Sequence, residues 1–128
     1  MSCRILFAED EKDARDVLAA ILHQVGGHTV TTVADGDELL KKLEGKGADN
    51  YDLVVTDIQM ERINGLAAAG IAHHFMNVRI PVIAVSGIRF TEKTRKLADI
   101  TFSHVMTKPI DISALLDLVG SYSSAGSC

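Results

Sequence analysis

Five polar side chains in this 128-residue sequence each lie at the end of a short apolar segment. They are Glu9, Asp10, Asp57, Ser86 and Lys108. Three carboxylates brought together repel one another unless a cation lies between them, and carboxylate oxygens are ligands that suit Mg²⁺. A hydroxyl and an ammonium group are suitable partners for phosphoryl oxygens. These residue types therefore indicate Mg²⁺-dependent phosphate chemistry, provided that the fold brings the five side chains together.

Each of these residues also has a simpler interpretation when it is taken alone. The acidic pair at residues 9 and 10 is typical of a solvated loop or a helix N-cap, and Asp57 of a turn or a cap. Ser86 precedes a glycine, as in many turns, and Lys108 is typical of a surface position. The functional interpretation therefore depends on their joint placement after four different segments.

Those four segments are predicted strands because they are short and apolar, and His28–Val33 is predicted as another strand because it is rich in Val and Thr. The five predicted strands are Arg4–Ala8, His28–Val33, Leu53–Thr56, Ile80–Val85 and His104–Thr107. After each strand, the sequence pattern predicts a helix. The five predicted helices are Lys12–Val25, Gly36–Glu44, Leu66–Met76, Thr91–Ala98 and Ile112–Tyr122, with Asp35 and Asp111 as N-caps.

Strands that alternate with helices predict right-handed crossovers and a parallel sheet in a three-layer α/β sandwich. A chain of 128 residues fits one domain with one core. We predict a domain over residues 1–122 and a flexible tail over residues 123–128, because Ser and Gly dominate the tail. The carboxyl ends of parallel strands share one edge of the sheet, so the five polar side chains would meet there.

Composition and charge exclude several classes of protein. A net charge of −4 argues against binding to the phosphate backbone of nucleic acids. No apolar stretch reaches the roughly 20 residues that span a bilayer. Acidic residues already occur at positions 9 and 10, which leaves no room for a signal peptide. We therefore expect a cytoplasmic protein that binds neither nucleic acid nor membrane directly.

The cysteines and histidines do not form a recognisable metal or redox motif. Cys3 and Cys128 lie at opposite ends of the sequence, and we expect both to be reduced thiols. His73 and His74 are adjacent on a predicted helix, so their side chains point about 100° apart and chelate one ion poorly. We expect His104 to be a packed or edge residue of a strand rather than a phosphohistidine.

Four segments in this order resemble the receiver domain of bacterial response regulators, the phosphoacceptor domain of two-component signalling, with the chemotaxis regulator as the nearest type. They are Ile5-Leu6-Phe7-Ala8-Glu9-Asp10, Asp57-Ile58-Gln59-Met60 with Asn64-Gly65, Ile80-Pro81-Val82-Ile83-Ala84-Val85-Ser86-Gly87, and Lys108-Pro109-Ile110. The resemblance covers about residues 2–122. It implies a flavodoxin-like doubly wound (βα)5 fold with sheet order 2-1-3-4-5 and a cis peptide bond before Pro109.

The resemblance also implies a role for each polar side chain. Asp57 would accept a phosphoryl group from the phosphohistidine of a sensor histidine kinase. Lys108 and Ser86 would each contact a phosphoryl oxygen, and the added charge of about −2 would pull Ser86 inward and change partner binding. The implied Mg²⁺ ligands are Asp10, Asp57 and the backbone carbonyl of Gln59, with Glu9 acting through a water molecule.

Three positions depart from the family pattern. Glu61 stands where many receivers have proline and Ile63 where methionine is common, so we expect a more mobile and more acidic loop after Asp57. Val105 stands three residues before Lys108, where receivers often carry a Tyr or Phe that swings inward on activation. We therefore expect the output to use the face of the fourth helix and fifth strand without an aromatic swing, or another surface.

The sequence leaves several functions open. The first is a single-domain response regulator that switches its binding to an unidentified downstream protein. The second is a phosphorelay shuttle to a histidine phosphotransfer protein, and the third is a receiver domain cut from a larger regulator. A Mg²⁺-dependent phosphohydrolase is a fourth, but it needs a second general acid or base near Asp57. We therefore expect a signalling domain with slow autodephosphorylation rather than an enzyme.

Overall fold

A five-stranded parallel sheet lies at the centre of the computed structural model, which describes residues 2–60, 64–74, 76, 78–87, 91–126 and 128. The strands are β1 (Arg4–Ala8), β2 (Thr29–Val33), β3 (Leu53–Asp57), β4 (Val82–Ser86) and β5 (His104–Thr107). Neighbouring strands all pair in parallel, and their order across the sheet is β2-β1-β3-β4-β5. The predicted flavodoxin-like sheet is confirmed.

Helices follow the strands as predicted, with ends that differ from the prediction by at most three residues. They are α1 (Lys12–Gln24), α2 (Gly36–Leu43), α3 (Gly65–His74), α4 (Glu92–Thr101) and α5 (Ile112–Ser124). A short 3₁₀ helix at Gly45–Asn50, which the sequence pattern did not predict, connects α2 to β3. Within the described residues, the structure contains no helix that combines the length and the apolar character needed to cross a membrane.

Acidic side chains cap three of these helices. The carboxylates of Glu11, Asp35 and Asp111 each accept a hydrogen bond from the backbone N–H three residues further on, at 2.8, 2.8 and 3.1 Å. These bonds satisfy backbone donors that the first turn of a helix leaves without an internal partner. The predicted caps of α2 and α5 are therefore confirmed, and Glu11 fixes the start of α1 directly after the acidic pair.

Both faces of the sheet are buried under helices. Alternate residues of the central strands pack with α1 and α5 on one face, in a cluster that contains Ile5, Phe7, Leu18, Leu22, Leu53, Val55, Ile83, Val85, Leu115 and Val119. The intervening residues pack against α2, α3 and α4, in two clusters that contain Leu6, Leu39, Val54, Ala68, Ala72, Ala84, Ala98 and Phe102. Burial on both faces explains why these strands are continuous apolar runs in the sequence.

Cys3 and Cys128 meet at the edge of the sheet where the strands begin. The structure joins them by a disulfide, with their Cα atoms 4.7 Å apart, so the expectation of two reduced thiols is wrong for this structure. The reason is topological, because each helix of a parallel βαβ fold runs back to the edge where the next strand starts. The end of α5 therefore returns to the beginning of β1.

The last helix extends further than the sequence indicated. α5 ends at Ser124, two residues beyond the predicted end at Tyr122. Ser123 is buried, and the N–H of Ala125 donates to the carbonyl of Ser121 at 3.0 Å, so the final turn is fixed by packing and hydrogen bonding. The flexibility predicted for residues 123–128 stays a prediction, although residues 123 and 124 belong to α5.

Candidate functional site

The candidate site lies at the carboxyl ends of the strands. Asp57 is the last residue of β3 and is 3% exposed. It pairs in register with Val85 of β4, so the following residue, Ser86, lies just beyond it at the same edge. Ser86 in turn pairs with Thr107 of β5. The parallel register therefore brings the ends of β3, β4 and β5 to one place.

Three carboxylates meet at this edge. Glu9 and Asp10 follow β1, and one carboxylate oxygen from each lies within 4.8 Å of the other and of a carboxylate oxygen of Asp57. Among the described residues, these three form the one group of side chains that could hold a metal ion. Burial raises the pKa of Glu9 to about 8, with further contributions from the hydrogen bond and the charge of Asp57. Without a cation, the cluster therefore retains a proton on Glu9 at neutral pH.

Lys108 brings a positive charge to the site. Its Nζ lies 2.6 Å from Oδ2 of Asp57 and 3.9 Å from Oε1 of Glu9. Burial alone would lower the pKa of Lys108, but its hydrogen bond to Asp57 and the nearby carboxylate charges more than offset this effect and raise it. The predicted lysine therefore contacts the acidic cluster directly.

Lys108 is held by the backbone as well as by its charge. Its N–H donates to the carbonyl of Ser86 at 2.8 Å, and the peptide bond to Pro109 is cis, as the resemblance implied. Ser86 itself is 1% exposed at the end of β4. A main-chain hydrogen bond thus joins Ser86 and Lys108, the residues that the sequence predicted to supply the hydroxyl and the ammonium group.

Gln59 contributes two contacts, of which the sequence interpretation anticipated neither. Its backbone N–H donates to Oδ1 of Asp57 at 3.0 Å, and its side-chain Oε1 accepts from the N–H of Gly87 at 3.1 Å. Only its backbone carbonyl had been expected to take part, as a metal ligand. A glutamine has no periodicity or charge signal that would reveal a contact with a residue 28 positions away.

A pocket of about 690 Å³ opens beside these groups. Its lining combines the polar residues of the site with residues of α1 and of the segment after β5. The apolar part of the lining comprises Phe7, Ala14, Val17, Leu18, Val85, Pro109 and Ile110. The carboxylates therefore share this groove with an apolar surface.

Comparison with protein families identifies this arrangement. The model of the response regulator receiver domain matches residues 5–120, which is nearly the whole chain. The chain belongs to this family. Receiver domains are signalling domains of two-component systems, and the acidic cluster, the lysine and the sheet order described above are all present in this member.

The curated relatives are longer proteins that match this chain over only part of their own length. The chain is 31% identical over 123 residues to the CAI-1 autoinducer sensor kinase/phosphatase CqsS of Vibrio cholerae, covering 93% of the chain and 17% of that protein. It is 32% identical over 120 residues to the alkaline phosphatase synthesis transcriptional regulatory protein SphR of Synechococcus elongatus, covering 88% of the chain and 46% of that protein. The chain therefore spans less than half the length of these relatives.

Solved structures agree with the fold. The receiver domain of the Francisella response regulator 1452 superposes with a TM-score of 0.84 at 25% identity, covering 97% of this chain and 98% of that one. The response regulator TrrA of Thermotoga maritima, in complex with Mg²⁺ and beryllofluoride, gives a TM-score of 0.73 at 28% identity, covering 92% and 96%. The flavodoxin-like receiver fold is thus shown by relatives from distant organisms.

The departures of this receiver from the family pattern are partly visible. Val105 is half-buried and packs against the cluster that contains Ile58, Ala84 and Phe102. Phe102, three residues earlier, is 5% exposed and supplies an aromatic ring to that cluster. Glu61 and Ile63, for which we predicted a more acidic and mobile loop, lie outside the described residues.

The histidines with described side chains are not part of the acidic cluster. Nδ1 of His73 lies 3.4 Å from the carbonyl oxygen of Val78, and the side chain of His74 lies outside the described part of the structure. His104 is exposed on β5, one of the two edge strands of the sheet. The expectation that His104 is an edge residue is therefore confirmed.

Proposed function

We propose that this receiver is a single-domain response regulator that accepts a phosphoryl group on Asp57 from a sensor histidine kinase. The observation that carries the proposal is the contact set of one buried carboxylate. Asp57 lies close to the carboxylates of Glu9 and Asp10 and to the ammonium of Lys108. Such a carboxylate can act as a nucleophile toward phosphorus. Ligands for a metal ion and an ammonium group for the phosphoryl oxygens both lie beside it.

The proposed cofactor is Mg²⁺. Its ligands in the proposal are Asp10, Asp57 and the backbone carbonyl of Gln59, with Glu9 acting through a water molecule. Oxygen donors with few carboxylates suit this ion, which keeps several of its own waters, and the donor set of the site fits that preference. When bound, Mg²⁺ would neutralise negative charge on the phosphoryl oxygens during transfer.

The residues of the chain position the reaction. An oxygen of Asp57 attacks phosphorus, the bond between phosphorus and the histidine nitrogen of the kinase breaks, and its electron pair stays with the imidazole. Both Asp57 oxygens have partners in the structure, so Lys108 must transfer its hydrogen bond from Oδ2 to the phosphoryl group. In the proposal Ser86 then donates its hydroxyl to another phosphoryl oxygen, which moves the end of β4.

The groove beside the site supports a protein as the phosphoryl donor. Its apolar side includes Val17, which is 57% exposed on α1, together with Pro109 and Ile110. A small donor such as acetyl phosphate needs only the polar end of the pocket, whereas a kinase can also cover the apolar side. We propose that the kinase docks over α1 and the segment after β5, and that an unidentified downstream protein binds after phosphorylation.

Mass spectrometry after incubation with acetyl phosphate and Mg²⁺ tests the proposed function. We expect the wild-type protein to gain one phosphoryl group and Asp57→Asn to gain none, because an amide is not a nucleophile toward phosphorus. Asp52→Asn is a matched control, since Asp52 precedes the same strand at its other end, where it pairs with Arg4 at 2.9 Å. A phosphoryl adduct that persists in Asp57→Asn would place the acceptor elsewhere.

A second candidate is a receiver that forms part of a larger regulator or relay. It is favoured by the small share of the Vibrio sensor kinase that the chain spans, 17% of its length. In a relay the phosphoryl group would pass onward from Asp57 to a histidine phosphotransfer protein. Transfer of a labelled phosphoryl group from the phosphorylated chain to such a protein would support this function. A terminal regulator would instead retain the phosphoryl group or release it as inorganic phosphate.

The proposed location and activity follow from this role. A kinase that uses ATP supplies phosphohistidine in the cytoplasm, so we propose that the chain acts there and binds neither membrane nor nucleic acid directly. There, thiol reductants would act on the bond between Cys3 and Cys128. We also propose that the chain is not a turnover enzyme and releases its phosphoryl group slowly.

A further inference from the structure

The side chain of Gln59 connects two loops that flank Asp57. Gln59 follows β3, and its Oε1 accepts a hydrogen bond from the backbone N–H of Gly87, which follows β4, at 3.1 Å. Its own backbone N–H is engaged with Oδ1 of Asp57 at 3.0 Å. One residue thus contacts both the carboxylate and the end of the neighbouring strand.

Gly87 lies in a confined position between this side chain and Lys108. A Cβ atom at Gly87 would lie 3.2 Å from Oε1 of Gln59 and 3.6 Å from Cδ of Lys108. The preceding residue, Ser86, is buried, and its carbonyl accepts from the N–H of Lys108. A shift of Gly87 therefore requires the contact with Gln59 to change and moves Ser86 with it.

We propose that Gln59 is a positioning residue that sets the threshold for switching. Its side-chain oxygen holds the N–H of Gly87 in the unphosphorylated state and competes for it with the phosphoryl group on Asp57. This inference rests on the proposed function, because the competing acceptor exists only if Asp57 is phosphorylated. The role concerns the side chain and is separate from the metal ligand proposed for the backbone carbonyl of Gln59.

The competition follows from the strengths of the two hydrogen bonds. A backbone N–H bonded to a charged phosphoryl oxygen forms a stronger hydrogen bond than one bonded to a neutral amide. A group of about −2 charge on Asp57 therefore draws the N–H of Gly87 away from Gln59. Since the existing bond must be given up first, its strength subtracts from the free energy that drives the switch.

Replacing Gln59 by methionine removes the amide acceptor while keeping a side chain of similar length. In the unphosphorylated protein, we expect the amide proton of Gly87 to exchange with solvent about fivefold faster, the effect of losing one neutral hydrogen bond. With Mg²⁺ present, the concentration of beryllofluoride that half-saturates the protein should fall about fivefold for the same reason. Both are measured by nuclear magnetic resonance of the whole chain, with beryllofluoride as the phosphoryl mimic.

Two further variants separate this role from a merely structural one. Gln59→Glu keeps a side-chain oxygen at the same position and should keep the amide of Gly87 protected. Gln24→Met makes the same substitution at the exposed end of α1 and should change neither measurement.

Two results would overturn the inference. One is an exchange rate of Gly87 in Gln59→Met equal to that of the wild type, which would show that the bond is absent in solution. The other is an unchanged or weaker response of that variant to beryllofluoride, which would show that the bond does not oppose the switch. Failure of the proposed function has a different signature, since the wild type would then gain no phosphoryl group from acetyl phosphate.

Discussion

The ammonium of Lys108 lies 2.6 Å from Oδ2 of Asp57, so the carboxylate proposed to accept the phosphoryl group is paired with a cation before phosphorylation. The two groups come from residues 51 positions apart. They meet because β3 and β5 flank β4 and end at the same edge of the parallel sheet. In the proposed function, this ion pair restricts access to the Asp57 carboxylate and keeps beside it the cation that a phosphoryl group would contact.

Lys108→Ala should separate phosphoryl recognition from metal binding. The variant removes a charge-assisted partner of the phosphoryl group, so beryllofluoride should bind about tenfold or more weakly in the presence of Mg²⁺. Mg²⁺ alone should bind as well as in the wild type or better, because a positive charge beside Asp57 is lost. Titration calorimetry measures both, with Lys41→Ala as the exposed control. Equal losses in the two titrations would contradict the role of Lys108.

Mg²⁺ binding should strengthen as pH rises toward about 8. Glu9 has a pKa of about 8 in the metal-free protein. Below that pH, a divalent cation must displace the proton of Glu9 before this carboxylate can contribute to metal binding. The affinity should therefore rise by up to about tenfold per pH unit below 8 and level off above it. Calorimetric titrations across this range check it, and Glu9→Gln should flatten the profile. A Mg²⁺ affinity that does not change with pH in the wild type would show that binding displaces no proton from Glu9.

The same group predicts how pH affects the stability of the metal-free protein. The pKa of Glu9 in the folded state is above its ordinary value of 4.5. Its contribution to stability is therefore fully present below about pH 4.5 and is lost as pH rises through about 8. Chemical denaturation in a metal chelator should show this loss in the wild type and a smaller loss in Glu9→Gln. A free energy of unfolding that rises over this range in the wild type alone would contradict the raised pKa of Glu9.

The sequence predicted those features that follow from regular patterns. The strands were predicted because both faces are buried, which makes residues such as Val54 and Val55 equally apolar. The carboxylates and Lys108 were predicted to converge because parallel strands place their carboxyl ends together. The contact between Gln59 and Gly87 was missed, because it depends on side-chain geometry between two loops. The meeting of Cys3 with Cys128 was missed because it depends on where a helix ends in space.

Gly65→Ala should damage both stability and the site. A Cβ atom at Gly65 would overlap the carbonyl of Asp57, and the N–H of Gly65 donates to the carbonyl of Ile58 at 2.8 Å. The end of β3 must then shift, which we expect to cost about 1–3 kcal/mol of unfolding free energy and to slow phosphoryl uptake. Chemical denaturation and the acetyl phosphate assay measure the two effects.

Gly70→Ala provides the matched control for this prediction. Gly70 lies in the same helix, α3, and a Cβ atom there would have no neighbour within 4 Å among the described atoms outside the backbone of that helix. Because alanine favours a helix over glycine, this variant should be neutral or stabilised by up to about 1 kcal/mol, with normal phosphoryl uptake. If both variants behave alike, the close approach of Gly65 to Asp57 does not constrain the site.

Reduction of the disulfide between Cys3 and Cys128 should lower stability without removing the reaction. The bond joins residues 125 positions apart, so it restricts the unfolded chain strongly, and its loss should cost about 2–5 kcal/mol. Phosphoryl uptake should persist, because Cys3 precedes β1 whereas Glu9 follows it, roughly 20 Å away along the strand. Thermal unfolding with and without dithiothreitol checks the first effect, and Cys128→Ser should be insensitive to the reductant. Two titratable thiols in the untreated, folded wild type would show that the bond does not form in solution.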